Sequence, residues 1–133
     1  IYGSPKYLEK QGFPKSTSDL NKHSFISFGR GAPSPVYNPD WALKLGTKDN
    51  KKRKTVMKVN SVYGLLLAVQ SGVGLAALPD YITVNQPNIV KVLPNIEGPI
   101  TEAHFVYPQS MKNVARVQAF RNFLYSKISE WEF

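Results

Sequence analysis

Asn60 and Ser61 stand directly before the apolar run Val62 to Val69, and that placement carries the clearest chemistry in the chain. Both residue types cap helices well, and the first turn of a helix leaves backbone N–H groups without intrahelical partners. The chemistry on offer is anion binding by backbone amides, not bond making by a side chain. Plain capping explains the pair equally well, and the two roles are compatible. The run is apolar on nearly every face, Leu65, Leu66 and Leu67 included, so a helix there must be covered on both sides. Gly72 stands where a left-handed residue closes a helix. Gly74 then permits close backbone approach, and Leu75 to Leu78 is a short apolar run fit for a strand inside a sheet. Strand, helix and strand in that order make half of a ligand-binding α/β unit.

Other chemistries find less support. The segment Ser71 to Gly74 looks like a phosphate loop, yet it follows a helix where a nucleotide loop precedes one, and neither GxGxxG nor GxxxxGK[ST] occurs. His23 and His104 lie far apart with no HExxH-like spacing, and the chain has no cysteine, so no metal site is expected. No GxSxG elbow or other nucleophile–base spacing is present, so neither an enzyme nor a cofactor is expected. Seventeen basic residues against nine acidic ones give a formal charge of +8, which suits nucleic acid or an anionic surface. Seven of the seventeen lie between Lys44 and Lys58, however, with Lys51, Lys52, Arg53 and Lys54 consecutive, so the excess is local. Without interleaved aromatics such a run reads first as a solvated loop, and second as a contact to DNA or a partner subunit.

The elements that must position these residues follow from pattern. Ser4-Pro5 starts a short helix that Gly12 and Pro14 stop, and Ser16 or Ser18 caps a second brief turn at Asp19 and Leu20. Ser24 to Phe28 reads as a strand, ended by the flexible Gly29-Arg30-Gly31, and three prolines force an extended loop between Ala32 and Pro39. The alternation Trp41, Leu43, Leu45, followed by Val56 and Val59, predicts a β-hairpin whose basic tip is Gly46 to Lys54. A short helical piece around Tyr81, a strand over Ile89 to Val92 and a last strand over Ala103 to Tyr107 come next. From Val114 the apolar positions Val117, Phe120, Phe123, Leu124, Ile128 and Trp131 recur at threes and fours, an amphipathic helix of about five turns. The fold class is α/β, a mixed sheet flanked by helices. At 133 residues and 42% hydrophobic, the chain is one domain or a piece of two. No apolar run approaches the ~20 residues that span a bilayer, and the absence of cysteine permits a cytoplasmic setting. A first residue other than methionine, Ile1, suggests a fragment.

Several stretches taken together resemble the effector-binding domain of LysR-type transcriptional regulators. They are GSPKYLEKQGFP (Gly3 to Pro14), Asp19 to Ile26, VNS (Val59 to Ser61), LLLAVQSGVGLAALP (Leu65 to Pro79), IVKVLP (Ile89 to Pro94), HFVYP (His104 to Pro108) and VQAFRNFL (Val117 to Leu124). The resemblance implies a Rossmann-like lobe of a type-2 periplasmic-binding-protein-like fold, in which two α/β lobes joined by two crossing strands hold a ligand between them. On that plan residues 1–103 are the second lobe with the first crossing strand, and residues 104–133 are the return strand and a helix belonging to the first lobe. The winged helix-turn-helix and most of the first lobe would then lie outside this sequence, and the last helix would lack its usual sheet. It would be expected to dock on the second lobe or on a second copy, or to stay disordered.

The same resemblance implies where the effector would sit. Carried over by position, the contacts are Ser27, Phe28, Gly29 and Arg30 after the first strand of the lobe, with Asn60 and Ser61 at the helix N-terminus; Tyr2, Gly3, His104 and Tyr107 would form the hinge. An arginine beside a helix N-terminus suits an anion, most simply a carboxylate. The partners implied are a small-molecule effector, DNA through the absent N-terminal domain, and further copies of the chain in a homo-oligomer. A solute-binding protein lobe of the same fold is the alternative.

Overall fold

The computed structural model describes residues 1–29 and 38–130 and divides the chain into two compact units, Ile1–Thr101 and Glu102–Phe133. The first unit is built on a strand that has no polar face. β2 (Phe25–Phe28) is buried at all four positions, which explains why its sequence, FISF, shows no polar alternation. Phe25 points into a cluster with Tyr7, Leu8, Leu20, Leu43 and Leu75, while Ile26 and Phe28 point the other way against Leu65, Leu66, Val69 and Ala76. The two cores sit on opposite faces of one sheet. Leu8, Leu20, Phe25 and Leu75 have no exposed surface, and each such side chain contributes about 1.5–3 kcal/mol by leaving water.

Two short ladders make that sheet. β1 (Tyr2–Gly3) pairs antiparallel with β4 (Val90–Lys91), and β2 pairs in parallel with β3 (Thr55–Val59). Leu75 and Ala76 join them: Leu75 bridges Phe25 in parallel, and Ala76 bridges Tyr2 antiparallel. The expected strand over Leu75 to Leu78 is therefore only two residues of pairing, but it turns two ladders into one mixed sheet. Gly74 makes the approach, since a Cβ there would lie 2.5 Å from the Ser24 carbonyl oxygen.

Helices cover both faces. α1 (Pro5–Gln11) begins as its sequence requires, with Pro5 in the first turn and the Ser4 hydroxyl accepting from the Tyr7 N–H at 3.3 Å. α2 (Val62–Gln70) is capped by Ser61 and leaves through Gly72 at φ +79. α3 (Asp80–Thr83) is the short piece expected around Tyr81. The turn at Asp19–Lys22 is 3-10 and Ser16 caps it reciprocally, as expected: its hydroxyl accepts from the Asp19 N–H at 3.4 Å while the Asp19 carboxylate accepts from the Ser16 N–H and hydroxyl at 3.0 and 2.8 Å, and Ser18 makes no side-chain cap.

The predicted β-hairpin is absent. Trp41–Leu43 is a 3-10 turn, and β3 takes β2 as its parallel partner. Three apolar residues at period two do not distinguish a strand from a tight turn; here one turn suffices to bury Ala42 and Leu43, with Leu43 N–H donating to the Asp40 carbonyl at 3.0 Å. The basic run is consequently not a hairpin tip. Lys51 to Lys54 lead into β3, and Arg53 turns inward. Its Nε donates to the Asn21 side chain at 2.9 Å, its two terminal nitrogens to the Ala42 and Thr17 carbonyls at 3.1 and 3.2 Å, and its guanidinium lies 5.6 Å from the centre of the Phe25 ring. Burial pulls its pKa below the ordinary arginine value.

In the second unit the strand expected over Ala103 to Tyr107 forms no ladder among the described residues; a strand without a neighbour has nowhere to place its backbone groups but water. The Phe105 ring meets Tyr107 and Phe120 at 5.4 and 5.6 Å. α4 (Ala115–Ser129) is formed rather than disordered, about one turn shorter than expected, and none of its residues is buried. Trp131 lies outside the described residues. Among them, no helix is long and apolar enough to cross a membrane.

Two outcomes follow. Arg53→Lys keeps the charge but loses the three-way fork, so it should lower the urea midpoint by the equivalent of about 1–2 kcal/mol, while Lys51→Gln, at an exposed position, leaves it unchanged; equal midpoints would refute the inward role. His23, packed 5.8 Å from the Tyr7 ring with its Nδ1 buried, has its pKa lowered by desolvation. The unfolded chain takes the proton more readily than the folded one, so stability present above about pH 6.5 is lost as pH falls below it. His23→Phe should flatten that loss between pH 7.5 and 5.5, and an unchanged slope would assign it elsewhere.

Candidate functional site

Parallel strands end on the same side, so the residues following β2 and β3 meet. The register runs Ser27 to Lys58 and Phe28 to Val59, after a shift between Phe25 and Ile26. Gly29 N–H then donates to the Val59 carbonyl at 2.8 Å, and a Cβ on Gly29 would stand 3.6 Å from the Asn60 nitrogen. Phe28, Gly29, Asn60 and Ser61 are thus brought to one edge of the sheet. Asn60 and Ser61 are exposed there, while Phe28 is buried beneath α2.

The helix start is fixed at this edge by Ser61 and Gly64. The Ser61 hydroxyl accepts from the Gly64 N–H at 3.3 Å, and its carbonyl accepts from Leu65 N–H at 2.9 Å. Gly64 lets α2 begin close to the strand it follows, since a Cβ there would lie 2.6 Å from the Val59 side chain. Ser61 therefore caps, as the sequence suggested, and the remaining amides of the first turn face the edge where β2 and β3 end.

Ser27 is separated from this group. Strand alternation turns it to the face away from α2, where it is 5% exposed and lines a hollow of about 400 Å³ that Phe28 also borders, with Asp40, Lys52, Lys54 and Lys58 around it. Arg30 lies outside the described residues. A second hollow of about 480 Å³, between Pro14–Thr17 and Leu93–Ile96, contains none of the expected contacts. Sequence reasoning passed over Asp40 and Lys58; the signal for Lys58 was its place opposite Ser27, which only the strand register reveals.

The four expected hinge residues divide between the two units. Tyr2 and Gly3 form β1, and the Tyr2 hydroxyl donates to Asp80 Oδ1 at 2.9 Å while accepting from the Thr83 hydroxyl at 3.1 Å. Burial raises the Tyr2 pKa. A Cβ on Gly3 would come within 2.6 Å of a Leu75 methyl carbon, so this position is closely packed. His104 and Tyr107 lie in the second unit, with His104 exposed and its Nε2 3.5 Å from Glu102. Among the described residues no group of three or more His, Asp or Glu side chains is placed to hold a metal ion.

Comparison with known proteins is consistent along nearly the whole chain. Residues 1–128 match the family described as the LysR substrate binding domain. An uncharacterized HTH-type transcriptional regulator of Haemophilus influenzae is 31% identical over 109 residues, covering 79% of this chain and 36% of its own length. YhjC of Escherichia coli, an uncharacterized HTH-type transcriptional regulator, is 26% identical over 132 residues, covering 96% of this chain and 44% of its own. The chain thus spans less than half the length of these relatives. Among solved structures, the regulatory domain of CrgA from Neisseria meningitidis superposes with a TM-score of 0.70 at 24% identity, over 94% of this chain and 62% of that one. Intact CrgA gives 0.71 at 23% identity, over 95% and 43%. At these identities the two structures speak for the fold, which is the α/β class expected, a lobe of the type-2 periplasmic-binding-protein kind.

The edge residues differ in what they do for stability. Ser61→Ala should cost about 1 kcal/mol through loss of the cap, and Gly29→Ala should cost less than about 0.5 kcal/mol because its new methyl meets only ordinary contacts. A larger loss in Gly29→Ala than in Ser61→Ala would contradict this geometry.

Proposed function

The chain belongs to the LysR substrate-binding domain family, whose members are transcriptional regulators rather than enzymes, and on that premise we propose that it senses a small-molecule effector and passes the signal to a DNA-binding domain outside this sequence. The observation that carries the reading is the parallel pairing of β2 and β3, which gathers Gly29, Asn60, Ser61 and the first turn of α2 at one edge. In open α/β sheets ligands bind at the carboxyl ends of strands. Exposed amides there suit an anion, and a carboxylate is the simplest effector group with matching geometry. Phe28 supports the edge from below, Ser27 lies on the opposite face of the strand, and Arg30, next in sequence after Gly29, is of a type that suits an anion.

On this reading residues 1–103 are one lobe with its first crossing strand, and residues 104–133 carry the return strand and a helix that completes the other lobe. Tyr2 and Gly3 on one side and His104 and Tyr107 on the other act as the hinge. Effector binding shifts the balance between lobe arrangements, and a homo-oligomer of the intact cytoplasmic regulator conveys that shift to DNA.

The test uses the full-length regulator carrying the winged helix-turn-helix. A thermal-shift screen of small carboxylic acids should identify a stabilising compound, since a ligand that binds only the folded state raises its melting temperature. Ser61→Ala and Asn60→Ala should then weaken the compound's effect on operator binding by about tenfold or more, beyond what their stability loss explains. Equal loss of stability and response would leave capping as the whole role of Ser61.

A further inference from the structure

Residues 79–86 leave the end of the sheet with little backbone attachment. Leu75 runs parallel to Phe25, so the chain that leaves Leu78 emerges at the same edge as the chain that leaves Phe28. From there to Gln86 the backbone bonds only within the segment among the described residues: Ile82 N–H donates to the Pro79 carbonyl and Gln86 N–H to the Thr83 carbonyl, each at 3.2 Å. No residue of α3 is buried, and Tyr81 and Val84 are open to water. Side chains do the fastening. At the start of the segment the buried Tyr2 hydroxyl donates to Asp80 Oδ1 at 2.9 Å and accepts from the Thr83 hydroxyl at 3.1 Å, and Lys91 Nζ stands 3.8 Å from the same carboxylate oxygen. At its end the Gln70 amide donates to Gln86 Oε1 at 3.1 Å. Between them Ile82, half-buried, packs against the core beneath α2.

A stretch with few buried side chains and a self-contained backbone opens without the rest of the fold. What keeps it closed is then the strength of its fastenings, and the bond from Tyr2 is the one with a charged acceptor. We propose that residues 79–86 form a strap beside the strand ends, poised to open on its own, with the Tyr2 hydroxyl as its clip. Packing alone is a weaker account, since Ile82 is the one apolar side chain of α3 that reaches a core and Tyr81 faces out. Tyr2 sits on β1, so displacement of β1 relative to α3 breaks the clip and frees the strap. On the reading of β1 as a crossing strand, this carries hinge movement to the edge where β2 and β3 end. The strap and its clip stand without that reading.

Amide hydrogen exchange of the chain, followed by NMR at Ile82 and Gln86, tests the proposal without any effector. Both amides should exchange at least about tenfold faster than that of Ile26 in β2, because they open separately. Tyr2→Phe keeps the ring and removes the hydroxyl, and it should speed exchange at Ile82 by about tenfold. Asp80→Ala breaks the same bond, so the double variant should lie within about threefold of the faster single one. Arg53→Lys, which weakens the fold elsewhere, should speed Ile26 and leave Ile82 unchanged. Exchange at Ile82 as slow as at Ile26 would overturn the proposal, as would an unchanged rate in Tyr2→Phe. Two further results would do the same: effects that multiply fully in the double variant, or acceleration of Ile82 by Arg53→Lys, which would make the strap part of the global unfolding unit.

Discussion

The first unit depends on one close approach between backbones, at Gly74 and Ser24. A side chain at Gly74 would collide with the Ser24 carbonyl, and that carbonyl accepts from Leu75 N–H at 2.9 Å. Ile26 N–H returns the contact to the Leu75 carbonyl at 2.8 Å, and on the other side Tyr2 and Ala76 exchange bonds of 2.8 and 3.1 Å. Two residues thus satisfy the inner edges of both ladders at once. Without them β2 would present an unpaired edge inside the protein, which buried backbone does not tolerate. With them, β2 becomes an interior strand covered on both faces, and its alternation fixes which side chains serve which core.

That alternation also separates the environments of neighbouring side chains on β2. Phe28 leans under α2 and supports the Asn60 and Ser61 edge, while its neighbour Ser27 looks into the hollow around Asp40 and Lys58. The basic run is divided in the same way. Four consecutive cations look equivalent in sequence, yet Arg53 is a structural clamp tying the Trp41–Leu43 turn and the segment before Asp19 to the Phe25 core. Its planar fork reaches two carbonyls and an amide oxygen that no ammonium could reach together. The run therefore presents fewer exposed cations than its four consecutive charges suggest, although Arg53 keeps its charge.

What could be read from the sequence was whatever local chemistry determines. Ser4-Pro5, Ser61 and Gly72 mark helix ends because a cap or a left-handed residue acts on its own neighbours. The need for cover on both sides of Leu65 to Leu67 was legible for the same reason, although Leu67 itself is half exposed. The failures are all matters of pairing. Trp41 to Leu45 has strand spacing but forms a tight turn, because Arg53 N–H meets the Leu43 carbonyl once and no ladder follows. Ala103 to Tyr107 has strand composition and no strand partner among the described residues. The register that puts Lys58 opposite Ser27 rests on an irregularity between Phe25 and Ile26 that no local pattern announces. At the Asn60 edge, sequence named four residues that the fold assembles, and it placed Ser27 among them because adjacency along a strand conceals which face a residue serves.

The assembled edge also sets a limit on what it can bind by itself. An anion at an exposed helix N-terminus gains about 0.3–1 kcal/mol from the dipole, and micromolar affinity requires about 8 kcal/mol. Asn60 and Ser61 are open to water, so the amides of α2 by themselves would orient an anion more than hold it. The balance for tight binding would have to come from desolvation and from further polar groups. α4 presents the complementary need, since Phe120, Phe123 and Ile128 are about half exposed and each forgoes part of the 1.5–3 kcal/mol or so that full burial contributes. A surface that covered this helix would recover part of that burial.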